Sequence, residues 1–281
     1  MPQGWGDCSQ DQIERLLPLQ LTDLSNQDAL GRGRLKGLAL KALLPQLDKY
    51  SQDLTEDQWF SLSRLTEWVW EDRITARPFD SFTVKVPLSK GAFRLDTFIL
   101  PDDNFTNTTA IEVAMANINF IAFTRPDNPD RSAVYKLLAT LCRPARKDLK
   151  KFKASPQWNG DRREEYNTVL ADERAELFGR LPIGTVMAVT QYFEAMNDRF
   201  LKMYPDVYEA DPNAEAEPPM YKNGEGLVTT LMDIGREGVF GDFDKVCSQN
   251  CHSVWLYLKD NSKKIKRANA RAERERLINI Q

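Results

Sequence analysis

The chain has 281 residues, 42% of them hydrophobic, with 38 Lys and Arg against 41 Asp and Glu for a net charge of −3. That is enough apolar material for a sizeable core in one large or two modest domains, and too little net positive charge for a protein that coats nucleic acid. One histidine, His252, leaves no multi-histidine metal centre and no HExxH protease, and points away from enzymes in general.

The N-terminal stretch MPQGWGDCSQDQ has neither a basic start nor an apolar run, so no secretory signal is expected. Four cysteines (Cys8, Cys142, Cys247 and Cys251) then read as free thiols in a reducing, cytoplasmic compartment. No apolar run approaches the ~18 residues of a membrane span, so no membrane partner is expected.

A short helix is predicted over 10–17, before Pro18. A second starts at Asn26 or Asp28 and runs towards Tyr50, with Pro45 ending it, kinking it or opening a new turn. TEDQWFSLSRLTEWVWEDRI, from Thr55 to Ile74, predicts one helix with Trp59, Leu62, Leu65, Trp68, Val69 and Ile74 at helical spacing. Trp59, Trp68 and Trp70 form either a core stripe or a partner-facing groove.

At FTVKV and AFRLDTFIL the period changes to two around PLSKG, which predicts a β-hairpin over about 81–100. Pro101 stops it. Asp102, Asp103 and Asn104 are turn formers, and Thr109 with Glu112 reads as a capping box in which the hydroxyl accepts from the backbone. Helices follow over 109–123, 131–141, 161–180, 183–204, 224–238 and 242–275. The proline-rich stretch 204–226 reads as a long exposed loop or domain boundary. Gly235, Gly238 and Gly241 end one helix, and Asp242 or Asp244 caps the next. Gly179 and Gly184 lack the Lys-Ser/Thr and the preceding strand of a phosphate loop.

The expected fold is therefore α+β and predominantly α-helical. One β-hairpin lies between an N-terminal helical part and a C-terminal helical bundle. The segments are 1–78, 79–204 and 205–281, or all one domain.

CSQNCH, at 247–252, offers Cys247, Cys251 and His252 as three zinc ligands, without a nearby fourth. The following Val254, Trp255 and Leu258 continue a helix and favour core cysteines, so no metal and no cofactor are expected. Basic residues concentrate at 143–153 and at 263–276, the second inside KDNSKKIKRANARAERERLINIQ, which ends on Leu277, Ile278 and Ile280. Such a segment suits a projecting helix that docks on protein through Lys263, Lys264 and Arg267, with Trp255 on the same helix. The alternative is a nucleic-acid-binding module using both basic segments. The sequence leaves the oligomeric state open.

Over about residues 55–260 the chain carries the runs FILPDDNFTNTTAIEVAMANINFIAF, LLATLCRP, NGDRREEYN, LPIGTVMAVTQYFEAM and GVFGDFDKVCSQNCHSVWLYL. Together they resemble uncharacterised proteins of Bacteroidota tailed phages and prophages, similar to tail-assembly chaperones or minor virion proteins. The resemblance implies a non-enzymatic protein that binds a virion or tail component during assembly in the host cytoplasm, or is incorporated in the virion. It carries no functional residues.

Overall fold

The computed structural model describes residues 1–50, 52–88, 91–156, 158–208 and 221–280. Helices make up 63% of the chain, and the one sheet among the described residues is a two-stranded antiparallel hairpin, so the fold is predominantly helical α+β. No helix among the described residues is long and apolar enough to cross a membrane. The stretch from Glu209 to Met220, the heart of the expected long loop, lies outside the described residues, as do Ser89 and Lys90 at the hairpin turn.

Local signals place most elements. Ser9 and Gln12 form a reciprocal capping box on α1 (Gln10–Leu16), and Thr55 and Gln58 form another on α4 (Glu56–Arg64). The Asp28 carboxylate accepts from the Gly31 N–H at 2.7 Å and starts α2 (Ala29–Leu43), which stops before Pro45; α3 (Leu47–Tyr50) follows. The expected single helix over 55–74 is two: α4 ends at Arg64, and α5 (Trp68–Glu71) begins after a turn. At that turn the buried Thr66 hydroxyl donates to the Ser63 carbonyl at 2.7 Å, competing with the helical ladder.

The hairpin pairs β1 (Ser81–Pro87) with β2 (Phe93–Ile99) in the register Ser81↔Ile99 to Pro87↔Phe93. Next come α6 (Ala110–Thr124), α7 (Ala133–Leu141), α8 (Leu149–Lys153) and α9 (Thr168–Phe178). The helix expected from 161 starts only at Thr168. Asn167 caps it, and the preceding residues are extended, with Arg163 bridged to Ala145. The remaining helices are α10 (Ile183–Met203), α11 (Pro205–Tyr208), α12 (Gly226–Glu237), α13 (Phe243–Ser248) and α14 (Cys251–Ile280). The helix expected over 242–275 is broken, because Asn250 leaves it to form a bridge with Thr109.

The chain resolves into two compact units, each discontinuous in sequence. The first comprises Met1–Leu100, Val134–Ala145 and Arg163–Ala195. Its core gathers Ile13, Leu16, Leu40, Leu43 and Val69 with Val189, Tyr192 and Phe193 of α10. Phe178 packs edge-on against the two buried hairpin phenylalanines, at 5.5 Å from Phe82 and 4.8 Å from Phe98. Gln191 joins distant segments: its carbonyl oxygen accepts from the Ile74 N–H at 3.0 Å, and its amide donates to Gln20 at 2.7 Å. Two buried arginines satisfy carbonyls at the end of α7, Arg143 donating to Thr140 and Arg163 to Leu141.

The second unit comprises Pro101–Ala133, Arg146–Arg162 and Met196–Gln281. Its aromatic core centres on Phe200, with ring centroids 5.6 Å from Phe105 and 5.1 Å from Trp255. Gly238 closes α12 in the left-handed region (φ 72°), and Asp242 caps α13 by accepting from the Lys245 N–H at 3.0 Å. Thr109 is the N-cap of α6, but its hydroxyl takes no backbone N–H. It donates instead to Glu112 Oε1 at 2.9 Å, and the Ala110 N–H is satisfied by the Gln249 carbonyl. The expected capping box is corrected accordingly: the hydroxyl donates to Glu112 rather than accepting from the backbone, and a neighbouring segment takes the first N–H of the helix.

Candidate interaction surfaces

His252 is a structural residue. The Asn104 carbonyl, 2.7 Å from Nε2, can only accept, so Nε2 carries the hydrogen and Nδ1 accepts from the Tyr204 hydroxyl at 2.8 Å. Both ring nitrogens are thereby used inside the protein. The Cys251 thiol donates to the Phe105 carbonyl and is pushed up to about 12 by burial and by the nearby Glu112 carboxylate. Cys247 is pushed up to about 11, by burial and then by Asp244. Neither thiol has the thiolate character of a ligand or nucleophile. Among the described residues no three His, Cys, Asp or Glu side chains converge as a metal site, and none of the four cysteines is in a disulfide.

Burial sorts the expected partner-binding residues. Trp255 is 1% exposed and donates its indole N–H to the Tyr208 hydroxyl at 2.6 Å, so it belongs to the core and is withdrawn from any partner surface. Trp68 packs edge-on against Trp5 at 5.0 Å, and Trp70 donates to the Leu19 carbonyl; both are half-buried. Trp59 is half-buried on α4, a helix with no buried residue, where Phe60 is exposed and Leu65 just beyond is exposed too. The α4 face is thus the part of the tryptophan segment that meets solvent.

Comparison with protein-family models, with curated proteins and with solved structures finds no match. The surfaces must be read from their own chemistry.

The most distinctive is the distal part of α14. The Ser262 hydroxyl donates to the Asp206 carbonyl at 2.7 Å, and from Lys263 to Ile278 every residue is exposed. Lys263 lies 3.5 Å from Asp206, and Lys264 lies 2.7 Å from Asp260; Arg267 and the other cations of the segment make no ion pair among the described residues. Ile265, Leu277 and Ile278 are exposed among them. The other basic stretch is less available. Arg143 is buried, Arg146 stacks on Phe152 at 3.8 Å and pairs with Asp148, and Lys153 lies over the Trp158 ring. Lys147, Lys150 and Lys151 remain exposed.

The hairpin, expected from the sequence as an element, was not among the expected partner surfaces. Its tip and the turn at Arg180–Pro182 line an open cleft of about 600 Å³. The ionisable lining groups among the described residues are Lys85 and Arg180, both cations, so the cleft holds no acid–base pair. Leu88 and Phe93 are exposed there, and Leu95 is exposed further along β2. The available signal was the alternation Phe93, Leu95, Thr97, which puts apolar groups on a face opposite the buried Phe98.

Proposed function

We propose that this chain is a non-enzymatic binding protein that grips a partner protein through the distal half of α14. The observation that carries the reading is the exposure of Ile265, Leu277 and Ile278 in a segment of the helix, 263–278, whose other exposed residues are charged or small. Large aliphatic side chains on a projecting helix find no burial within their own chain, and a helix laid into an apolar groove recovers it. The basic residues around them favour a groove with an acidic rim. The half-exposed Trp59 and exposed Phe60 of α4 offer a second apolar contact.

The resemblance to tailed-phage and prophage proteins supports virion assembly in the host-cell cytoplasm as the setting, with a tail or other virion component as the partner. Copurification with a virion protein during phage assembly, weakened by deleting 263–281 or by Ile265→Asp with Leu277→Asp, is the expected result. Recovery of no virion protein with the full chain overturns the reading.

A second reading rests on charge. Within 263–276 the sequence sets Lys263, Lys264, Lys266, Arg267, Arg271, Arg274 and Arg276 against the two acids Glu273 and Glu275, with Lys263 and Lys264 also paired to Asp206 and Asp260, an excess that favours phosphates. It requires DNA or RNA retention that falls steeply with salt and is lost on reversing Lys263, Lys264, Lys266 and Arg267. Unchanged retention eliminates it.

A further inference from the structure

The two long edges of the hairpin differ. Ile99 exchanges both backbone hydrogen bonds with Arg143, so its N–H and C=O point away from β1. Backbone direction alternates along a strand, so Phe93, Leu95 and Thr97 point their N–H and C=O groups the same way. None of these has a backbone partner among the described residues. The matching edge of β1 is Thr83, Lys85 and Pro87, which carries a lysine and a residue without an N–H, two ordinary guards against strand addition. The β2 edge has neither guard. On its solvent face Phe93 is 57% exposed and Leu95 56% exposed.

We propose that the β2 edge pairs with the β2 edge of a second copy of this chain, antiparallel about a two-fold axis at Leu95, giving a four-stranded sheet in the order β1-β2-β2-β1. In this register Leu95 lies opposite its own copy, and Phe93 lies opposite Thr97. Each outward-pointing residue meets an outward-pointing one, for about six inter-chain backbone bonds. Arg94 falls opposite Asp96 of the other copy, and Asp96 opposite its Arg94, at the non-hydrogen-bonded positions where cross-strand side chains come closest.

Within one chain Arg94 and Asp96 already form a two-pronged ion pair, at 2.5 and 2.7 Å, so pairing builds a four-charge cluster of alternating sign. Moving the axis by one residue sets Arg94 against Arg94 or Asp96 against Asp96. Charge therefore selects the Leu95 register. That register also ends at Thr97, leaving the Ile99–Arg143 bridge in place. The cross-strand neighbours of Leu95 and Phe93 become the Leu95 and Thr97 of the second copy, which covers the exposed apolar face. A strand edge buries less than the roughly 1,600 Å² of a standard stable interface, so the association is weak and concentration-dependent.

The test is sedimentation equilibrium of the full chain over a wide concentration series, with circular dichroism verifying the fold of each variant. The wild-type mass is expected to move from one chain towards two. Arg94→Glu alone places acids opposite acids, and Asp96→Arg alone places bases opposite bases, so each is expected to stay monomeric. An equimolar mixture of the two variants is expected to dimerise, because the acidic strand then faces the basic one. A wild type that stays monomeric at the highest attainable concentration overturns the proposal. So do single variants that associate like the wild type, or a mixture that associates no better than its components.

Discussion

The His252 ring holds the Asn104 carbonyl at 2.7 Å, and Asn104 is the first of two consecutive residues with left-handed backbone, Asn104 at φ 56° and Phe105 at φ 59°. Phenylalanine rarely adopts that conformation, which costs on the order of 1–3 kcal/mol. The surroundings enforce it here. The kink drives the fully buried Phe105 ring against Phe200, Arg199 donates to the Asn104 side chain at 2.6 Å, and His252 fixes the carbonyl.

His252→Phe keeps an aromatic ring beside Phe200 but leaves the Asn104 carbonyl and the Tyr204 hydroxyl without their partner. A stability loss of about 1–3 kcal/mol is expected in urea titration, with His252→Gln losing less because it can restore one bond. A His252→Phe variant as stable as wild type would show that the left-handed turn holds without the histidine.

Thr109 makes a sharper test of what starts α6. Its hydroxyl donates to Glu112, a carboxylate only 1% exposed, while a neighbouring segment occupies the first free N–H of the helix. If capping were its role, Thr109→Asp would be tolerated, since aspartate is a strong N-cap. A role as donor to a buried carboxylate makes Thr109→Asp worse than Thr109→Ala, because two carboxylates then face each other. Thr109→Ala is expected to cost about 1–3 kcal/mol and Thr109→Ser little, read as shifts of the denaturation midpoint.

What sequence made legible was local. The alternation of the hairpin, the acid or hydroxyl at Asp28, Thr55 and Asp242, and the glycine ending α12 each act within four residues; pattern placed the hairpin and Thr55, and the structure chose Asp28 over Asn26, Asp242 over Asp244 and Gly238 among three glycines. One error is local, the turn at which Thr66 bonds Ser63 and splits the helix expected over 55–74; two others lie where a distant segment intervenes. Residues from Arg163 on satisfy their backbone against Pro144 and Ala145 rather than by starting α9, and Asn250 breaks a helix to reach Thr109. Nothing near Phe105 in sequence announces a phenylalanine with positive φ. In the candidate surface, the charge and aliphatic residues of 263–278 were enough to foresee a projecting helix. Trp255 shared the tryptophan signal, yet its spacing with Cys251 and Val254 already marked the buried stripe of α14. The β2 edge needed the Ile99–Arg143 pairing to fix which backbone groups face outwards.

Cys142 sets a pH dependence. Burial pushes its thiol up from 9.0 to about 12, with Arg163 and Arg143 pulling weakly the other way. Below about pH 9 the thiol is protonated in both folded and unfolded chains. Between about 9 and 12 the unfolded chain releases the proton and the folded one keeps it, so stability present at lower pH is lost as pH rises. The slope from this one group is at most about 1.4 kcal/mol per pH unit. Cys142→Ala should therefore flatten the alkaline decline between pH 9 and 11 relative to wild type, measured by urea midpoints at several pH values. Parallel declines in the two proteins would assign the alkaline loss to other groups.

Two glycines should respond to alanine with opposite signs. Gly184 lies in the first turn of α10, where a Cβ would sit 2.2 Å from the Glu14 carbonyl oxygen and 2.6 Å from its carbonyl carbon, both backbone atoms of α1. The Thr185 hydroxyl donates to the Glu14 carboxylate at 2.8 Å beside it, so the approach of the two helices is held by a bond as well as by packing. Alanine is the better helix former by about 1 kcal/mol, but rigid backbone cannot yield to a contact that short. Gly184→Ala is expected to destabilise by about 1–3 kcal/mol, the usual range for an overpacked core. Gly33 sits in the interior of α2 with nothing within 4 Å of a built Cβ. There the propensity gain acts unopposed, and Gly33→Ala is expected to stabilise by about 0.5–1 kcal/mol. Thermal or urea unfolding of the two variants beside wild type decides it. Equal and favourable shifts at both positions would mean that α1 and α10 do not approach as closely as the Gly184 geometry requires.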